Sequence, residues 1–260
     1  MKTLAAIQAR LGSSRLPRKV LLPMPDGRPL LAWVHERVSL TPGVDQVVVA
    51  TIPADGPEIA AAVPDALVFS EETDAMRAFR ARTGQNDVLG RFALCAERFH
   101  ADRILRVTGD CPLWCPEVGK AVIADPWICD CMPYTMSTAD TTCSGWPDGL
   151  DAEVFSAKAV GTAQSVVVWD RDRMHPTRLM RRMWAVSVIS NIYGDFQSWP
   201  DLSVDTEADH QRVYRAAARL LEMPEAERHT VAALARAVAA CGILDAGPSS
   251  ITSRDSGATG

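Results

Sequence analysis

Short apolar runs alternate with helical spacings along the first 110 residues. Leu4–Ile7 is a short apolar run that predicts a buried strand. Leu30, Leu31, Val34 and Val38 follow at helical spacing. Val47–Thr51, rich in β-branched residues, predicts a second strand, and Ala66–Phe69 a shorter third. Val88, Phe92, Cys95 and Phe99 share one helical face. Arg103–Val107 predicts a fourth strand that ends at Thr108-Gly109-Asp110. Nearly continuous apolar strands alternating with helices argue for an α/β fold with a parallel sheet covered on both faces.

The second half is less regular. Residues 136–150 form a long polar segment with Gly and Pro, a kind of loop that is usually functional or flexible. Residues 152–155 and 183–189 predict further strands. Thr206 and Asp209 have the spacing of a capping box, opening a helix through Leu221. A second helix is expected over about 226–241. From Gly247 onward apolar residues almost vanish, which predicts a disordered tail over 247–260 after a single domain spanning 1–246.

Composition narrows the function classes. Of 260 residues, 47% are hydrophobic and 23% charged, which excludes a disordered chain, a collagen and a coiled-coil rod. The formal net charge of -5 argues against a general nucleic-acid binder but leaves room for a local basic site. No apolar run approaches a membrane span, so no membrane partner is expected. Seven cysteines and no secretory signal fit a reduced, soluble, cytoplasmic protein. Cys111, Cys115, Cys129 and Cys131 invite a zinc site, but C-x3-C and C-x-C are not paired C-x2-C knuckles. Buried or inert thiols are the favoured reading.

The segment after the first strand, Gln8 to Lys19, carries the chemistry. Arg10, Arg15, Arg18 and Lys19 fall within ten residues, with Gly12, Ser13 and Ser14 among them. Backbone amides, Arg and Lys at the carboxyl end of a parallel strand suit the oxygens of a polyphosphate. Neither G-x4-G-K-[ST] nor G-x-G-x-x-G is present, which argues against a P-loop enzyme and a dinucleotide dehydrogenase. A solvated basic loop is the competing reading. Asp110, ending the fourth strand, lies on the same sheet edge. It is either a ligand for magnesium beside the phosphates or a plain turn aspartate.

Gln8-Ala9-Arg10-Leu11-Gly12-Ser13-Ser14-Arg15-Leu16-Pro17-Arg18-Lys19 resembles the N-terminal signature of the cytidylyltransferases. These include the CMP-KDO and CMP-sialic acid synthetases, and the spore-coat-polysaccharide (SpsF-like) type is the nearer match. Arg106 to Leu113 is similar to that type over all eight residues, and Leu202–Glu207 resembles its V-D-T segment. The resemblance implies a Rossmann-like three-layer α/β/α nucleotidyltransferase fold with a mixed, mostly parallel sheet. It implies an enzyme transferring CMP from CTP to a small acceptor (a sugar acid, a sugar or a phosphonate) with release of pyrophosphate. Carried over by position, Gln8, Ala9, Arg10, Gly12, Ser13, Arg15, Lys19 and Asp87 bind nucleotide. Arg10, Lys19 and Asp110 act in catalysis, and Asp110 and Asp205 hold one or two Mg²⁺ ions. Asp205 or Thr206 also reads as a helix cap. Arg18 stands where the family often has Gly and is left out of the contacts. Pro147–Phe155 resembles the family's P-D-G-L-D-x-E-V-F segment and assigns Asp148 and Asp151, with Thr108, to the acceptor. A homodimer is allowed, since relatives often pair.

There are departures. Residues 71–84 read as an insertion where the family has a short turn. Asp172–Thr177 replaces a family E-H-V-T-P-Y segment, with the His displaced and the Tyr missing; His175 alone reads as a surface or core histidine. The alternative enzyme class is a nucleotide-sugar glycosyltransferase of the GT-A type, which needs D-x-D at a strand end. Asp170-Arg171-Asp172 has the spacing but follows no sheet strand. A degenerate nucleotide-binding scaffold would lack the cations or the aspartates, and both sets are present.

Overall fold

Alternation along the first strand sorts side chains onto two faces, and each face carries its own apolar layer. In β1 (Thr3–Gln8), Ala5 and Ile7 join one buried cluster and Leu4 and Ala6 the other. Leu105 and Val107 lie on the first side and Ile104 on the second in β4 (Arg103–Thr108). A strand buried between two layers has few polar positions, which is why these segments read as nearly continuous apolar runs, with Arg106 and Thr108 of β4 turned to the site. The computed structural model describes residues 1–125, 134–136, 145–190 and 199–242.

Among the described residues, seven strands form one sheet in the order β3-β2-β1-β4-β6-β5-β7. β2 (Gln46–Ala50) and β3 (Val68–Phe69) pair in parallel beyond β1, and β4 flanks β1 in parallel on its other side. β6 (Glu153–Ser156) is antiparallel to β4 and to β5 (Tyr134–Met136), and β7 (Ser187–Val188) is parallel to β5. The sheet is therefore mixed and mostly parallel, as expected. On the first face pack α1 (Leu30–Ser39), α2 (Gly56–Ala62), α5 (Pro116–Ile123), α9 (Glu207–Leu221) and α10 (Val231–Ala240). On the second pack α4 (Val88–Arg98), α6 (Ala157–Val166) and α8 (Pro176–Met183), with α7 (Asp170–Met174) beside them and α3 (Asp74–Thr83) joined to α7 through Arg82 and Asp170.

Thr206 and Asp209 form the expected capping box on α9, each accepting from the other's backbone N–H. The expected strand over 183–189 is mostly not one. Pro176 at the first helical turn starts α8, whose Leu179 and Met180 are buried, and only Ser187–Val188 pairs as strand. The closing helix starts at Val231, later than expected, because Thr230 caps it and residues 224–230 form successive turns. Residues 71–84, read above as an insertion, contain α3, capped by Thr73 and ended by Gly84 at φ 68. Most of the 136–150 loop, Cys129, Cys131 and the 247–260 tail lie outside the described residues.

Candidate active site

The chain leaves β1 at the point where its neighbours on either side are reached in opposite directions, β2 one way and β4 the other. Such a switch point opens a crevice at the carboxyl ends of the strands. Here a cleft of about 380 Å³ is walled by Gln8 and Ala9 at the end of β1, Ala50 and Thr51 at the end of β2, and Thr108 and Asp110 at the end of β4. Gly109 lets the ends of β1 and β4 close together. Its N–H donates to the Gln8 carbonyl at 2.8 Å, and a Cβ there would lie 3.0 Å from that oxygen.

The basic segment folds over this crevice as a hydrogen-bonded loop. The Leu11 N–H donates to Asp55 Oδ2 at 2.8 Å, and the Leu11 carbonyl accepts from Ser13 and Arg18. Arg18 takes the left-handed conformation, φ 61, before a 3-10 turn at Lys19–Leu21. Successive residues then part company. Arg18 pairs at the surface with Glu58, whereas Lys19 turns inward and is only 8% exposed. The left-handed position is also a physical reason for the family's Gly at this place.

Lys19 Nζ lies 2.5 Å from Asp110 Oδ2 and 2.9 Å from Asp205 Oδ1. The other Asp205 oxygen, Oδ2, is 2.6 Å from Arg15 Nη2. Two carboxylates from distant strands and loops thus converge on one cation position. Burial works against the charge of both Asp110 and Lys19. Their mutual attraction and hydrogen bonds outweigh it, holding the Asp110 carboxyl below its ordinary value and the Lys19 ammonium above its own. Asp205 is brought here by backbone stitching: the Val204 N–H donates to the Asp110 carbonyl at 2.9 Å, and Leu202 to Asp148 at 2.8 Å.

Of the residues expected in the site, Gln8, Ala9, Arg10, Ser13, Arg15, Lys19, Thr108, Asp110 and Asp205 line this one cleft. Gly12 does not line it. Neither does Asp87, whose carboxylate caps α4 through the Gly90 N–H at 2.8 Å and pairs with Arg173 at 2.9 Å. Its neighbours Gln85, Asn86 and Arg91 line the wall instead. Asp148 and Asp151 stand outside the cleft wall, in the loop before β6, where the Trp114 indole donates to the Asp151 carbonyl at 3.0 Å. Gly149 there takes φ 94 and packs directly on the Leu202–Ser203 backbone. Although Asp148 is exposed, desolvation by the surrounding loops, then the Asp151 and Asp201 carboxylates, pushes its carboxyl up to about 8.

Among the other lining residues, nothing in the sequence singled out Arg106 or Met174, and His175, expected as a surface or core histidine, borders the cleft. Arg106 precedes Thr108 by two residues in β4 and so shares its face, a relation legible from strand alternation alone. Its guanidinium is countered by Glu153 on β6, which also accepts from Tyr134 and, at 2.8 Å, from Thr177. Burial first, then the nearby Arg106, Arg178 and Arg10, lowers the His175 pKa, so the ring is neutral near pH 7. A larger hollow of about 690 Å³ under α1 shares no residue with the cleft.

The described thiols do not assemble into a metal site. Cys111 contacts Thr108 and Cys115 reaches the His229 carbonyl, and burial pushes both thiols up. Among the described residues no group of three or more His, Cys, Asp or Glu is placed to hold a metal, and no helix is long and apolar enough to cross a membrane. Asp170-Arg171-Asp172 opens α7; Asp172 is buried against Arg182 and Asp170 pairs with Arg82 at 2.6 Å. Neither lines the cleft.

The family model for cytidylyltransferases matches residues 4–140. The chain belongs to the cytidylyltransferase family. It is 33% identical over 121 residues to the 8-amino-3,8-dideoxy-manno-octulosonate cytidylyltransferase of Shewanella frigidimarina, covering 44% of this chain and 42% of that protein. The chain thus spans less than half the length of the curated relatives it matches. Likeness of fold extends further. A cytidylyltransferase of Leptospira borgpetersenii superposes with a TM-score of 0.76 at 21% identity, over 95% of this chain and 98% of that one. A CMP:2-keto-3-deoxy-manno-octonic acid synthetase complexed with CTP gives 0.62 at 19% identity, over 86% and 100%.

Proposed function

We propose that this cytidylyltransferase transfers CMP from CTP to a small acceptor, a sugar acid being the favoured class, with release of pyrophosphate. The observation that carries the reading is the convergence of Lys19 and Arg15 on Asp110 and Asp205 at the carboxyl edge of the sheet. Cations for phosphate oxygens and carboxylates for a metal meet in one cleft. The match to the octulosonate enzyme of Shewanella frigidimarina supports both donor and acceptor.

The acceptor oxygen attacks the α-phosphorus of CTP, and the bond to pyrophosphate breaks. Arg10, Arg15 and Lys19 hold the β- and γ-phosphates and neutralise charge as it accumulates on the leaving group. Ser13 and the loop amides orient the chain of phosphates. Asp110 and Asp205 fit a divalent ion, since both already point at one cation, and Mg²⁺ there would screen the phosphate oxygens. Thr108, Arg106 and neutral His175 border the acceptor end. Catalysis is then mainly positioning and electrostatics.

A pyrophosphate-release assay tests this directly, with the four nucleoside triphosphates offered against sugar acids, polyols, sugar phosphates and phosphonates. Turnover is expected with CTP and a sugar acid, and Asp110→Asn should lower it by about a hundredfold or more. Undiminished turnover in that variant removes Asp110 from the metal role. Release that depends on another nucleotide removes the cytidylyl assignment.

A further inference from the structure

We infer that Lys19 is a resident counter-cation that keeps the aspartate pair closed to free divalent metal until a polyphosphate withdraws it. The inference concerns how the proposed site loads. Its nucleotide half rests on the proposed function, and its metal half rests on geometry alone.

The ammonium sits within hydrogen-bond distance of both carboxylates, at 2.5 and 2.9 Å, which is where a shared metal would have to bind. Arg15 occupies the remaining Asp205 oxygen at 2.6 Å. A metal arriving alone must displace charge-assisted hydrogen bonds, the strong kind. It must also leave the Lys19 ammonium without a counter-ion at a place where it is only 8% exposed, which is costly. Three further arginines, Arg10, Arg91 and Arg106, line the same cleft; Glu153 counters Arg106 from behind the wall, and among the described residues no third carboxylate lines the cleft to compensate the other two.

A triphosphate changes both sides of this balance. Its oxygens offer Lys19 and Arg15 new anionic partners, releasing three carboxylate oxygens, Asp110 Oδ2 and both of Asp205, for the metal. Nucleotide and metal therefore favour each other's binding, by equal factors in the two directions. Lys19 acts here as a positioning residue: its position sets the affinity of Asp110 and Asp205 for cation.

Calorimetric titration of the full chain with Mn²⁺, without nucleotide, tests the metal half. Wild-type protein is expected to bind weakly. Lys19→Gln is expected to bind more tightly by on the order of ten- to a hundredfold, as two charge-assisted hydrogen bonds no longer compete. The gain should vanish in Lys19→Gln combined with Asp110→Asn. Lys19→Arg keeps the cation and should stay as weak as wild type. Equal Mn²⁺ affinity in wild type and Lys19→Gln overturns the inference. So does tight, stoichiometric Mn²⁺ binding by the wild-type chain, a result that needs no variant to fold. Because no nucleotide is added, these outcomes stand apart from any failure of the CTP assay.

Discussion

The two ends of the cleft use the same kind of ion pair for opposite purposes. At the end proposed to take the phosphates, Lys19, Arg15, Asp110 and Asp205 neutralise one another within reach of any ligand that enters. Behind the opposite wall, Arg106–Glu153, Arg173–Asp87 and Arg182–Asp172 each pair a guanidinium with a carboxylate that is at most 3% exposed. The first set can exchange partners, because each member borders the cavity. The second cannot, because its acidic members are sealed behind α4, α6 and α8. An ion pair at an open edge is a loading device, whereas a sealed one is scaffold, and breaking it leaves a buried charge.

The largest expected effect follows from that contrast. Glu153→Ala strips Arg106 of its counter-ion and Tyr134 and Thr177 of their acceptor. Stability should fall by about 3–5 kcal/mol, read as the shift of a denaturant midpoint. A loss under about 1 kcal/mol would show that water reaches Arg106 from the cleft, and the distinction between the two ends would fail.

The difference between the ends also explains what could be read from the chain. β1, β2 and β4 were legible because strands buried on both faces are written as apolar runs. The loop from Arg10 to Lys19 and Asp110 were legible because each is one short segment at a strand end. Asp205 emerged only through the family's V-D-T pattern. Nothing local says that it meets Lys19, 186 residues away in sequence. The acceptor side was harder still. α6, α7 and α8 are short, and the strand expected at 183–189 is a helix end followed by two strand residues. Arg106 and Glu153 pair only because β6 runs antiparallel to β4, a register that no spacing in the sequence encodes. The 71–84 stretch stood out as an insertion, yet its Thr73 cap and Gly84 stop are ordinary helix signals.

A smaller effect separates the loop before β6 from both ends. The Asp148 carboxyl, ordinarily near 3.8, is raised to about 8 in the fold. Between those values the folded chain holds a proton that the unfolded chain has lost, so its stability falls as pH rises through the window. Asp148→Asn removes the dependence. The variant should match wild type near pH 4 and melt higher near pH 8, by about 2 °C given the exposure of the side chain. Melting curves that stay parallel from pH 4 to 8 would remove the carboxyl cluster from the account.

The smallest effect is expected at Arg18, next in sequence to the residue on which the site turns. Its ion pair with Glu58 is exposed on both partners, and such pairs contribute little. Its backbone holds φ 61, a conformation that costs a branched-off side chain but not glycine. Arg18→Gly relieves that strain while adding freedom to the unfolded chain, and the two changes oppose each other. The melting temperature should therefore stay within about 1 °C of wild type, and the nucleotide requirement should not move. Lys19→Ala, one residue on, should raise that requirement strongly, because the turn that sends Arg18 outward sends Lys19 in. A raised requirement in Arg18→Gly would mean that the left-handed turn tolerates only the larger residue, and that the loop's shape depends on the surface pair after all.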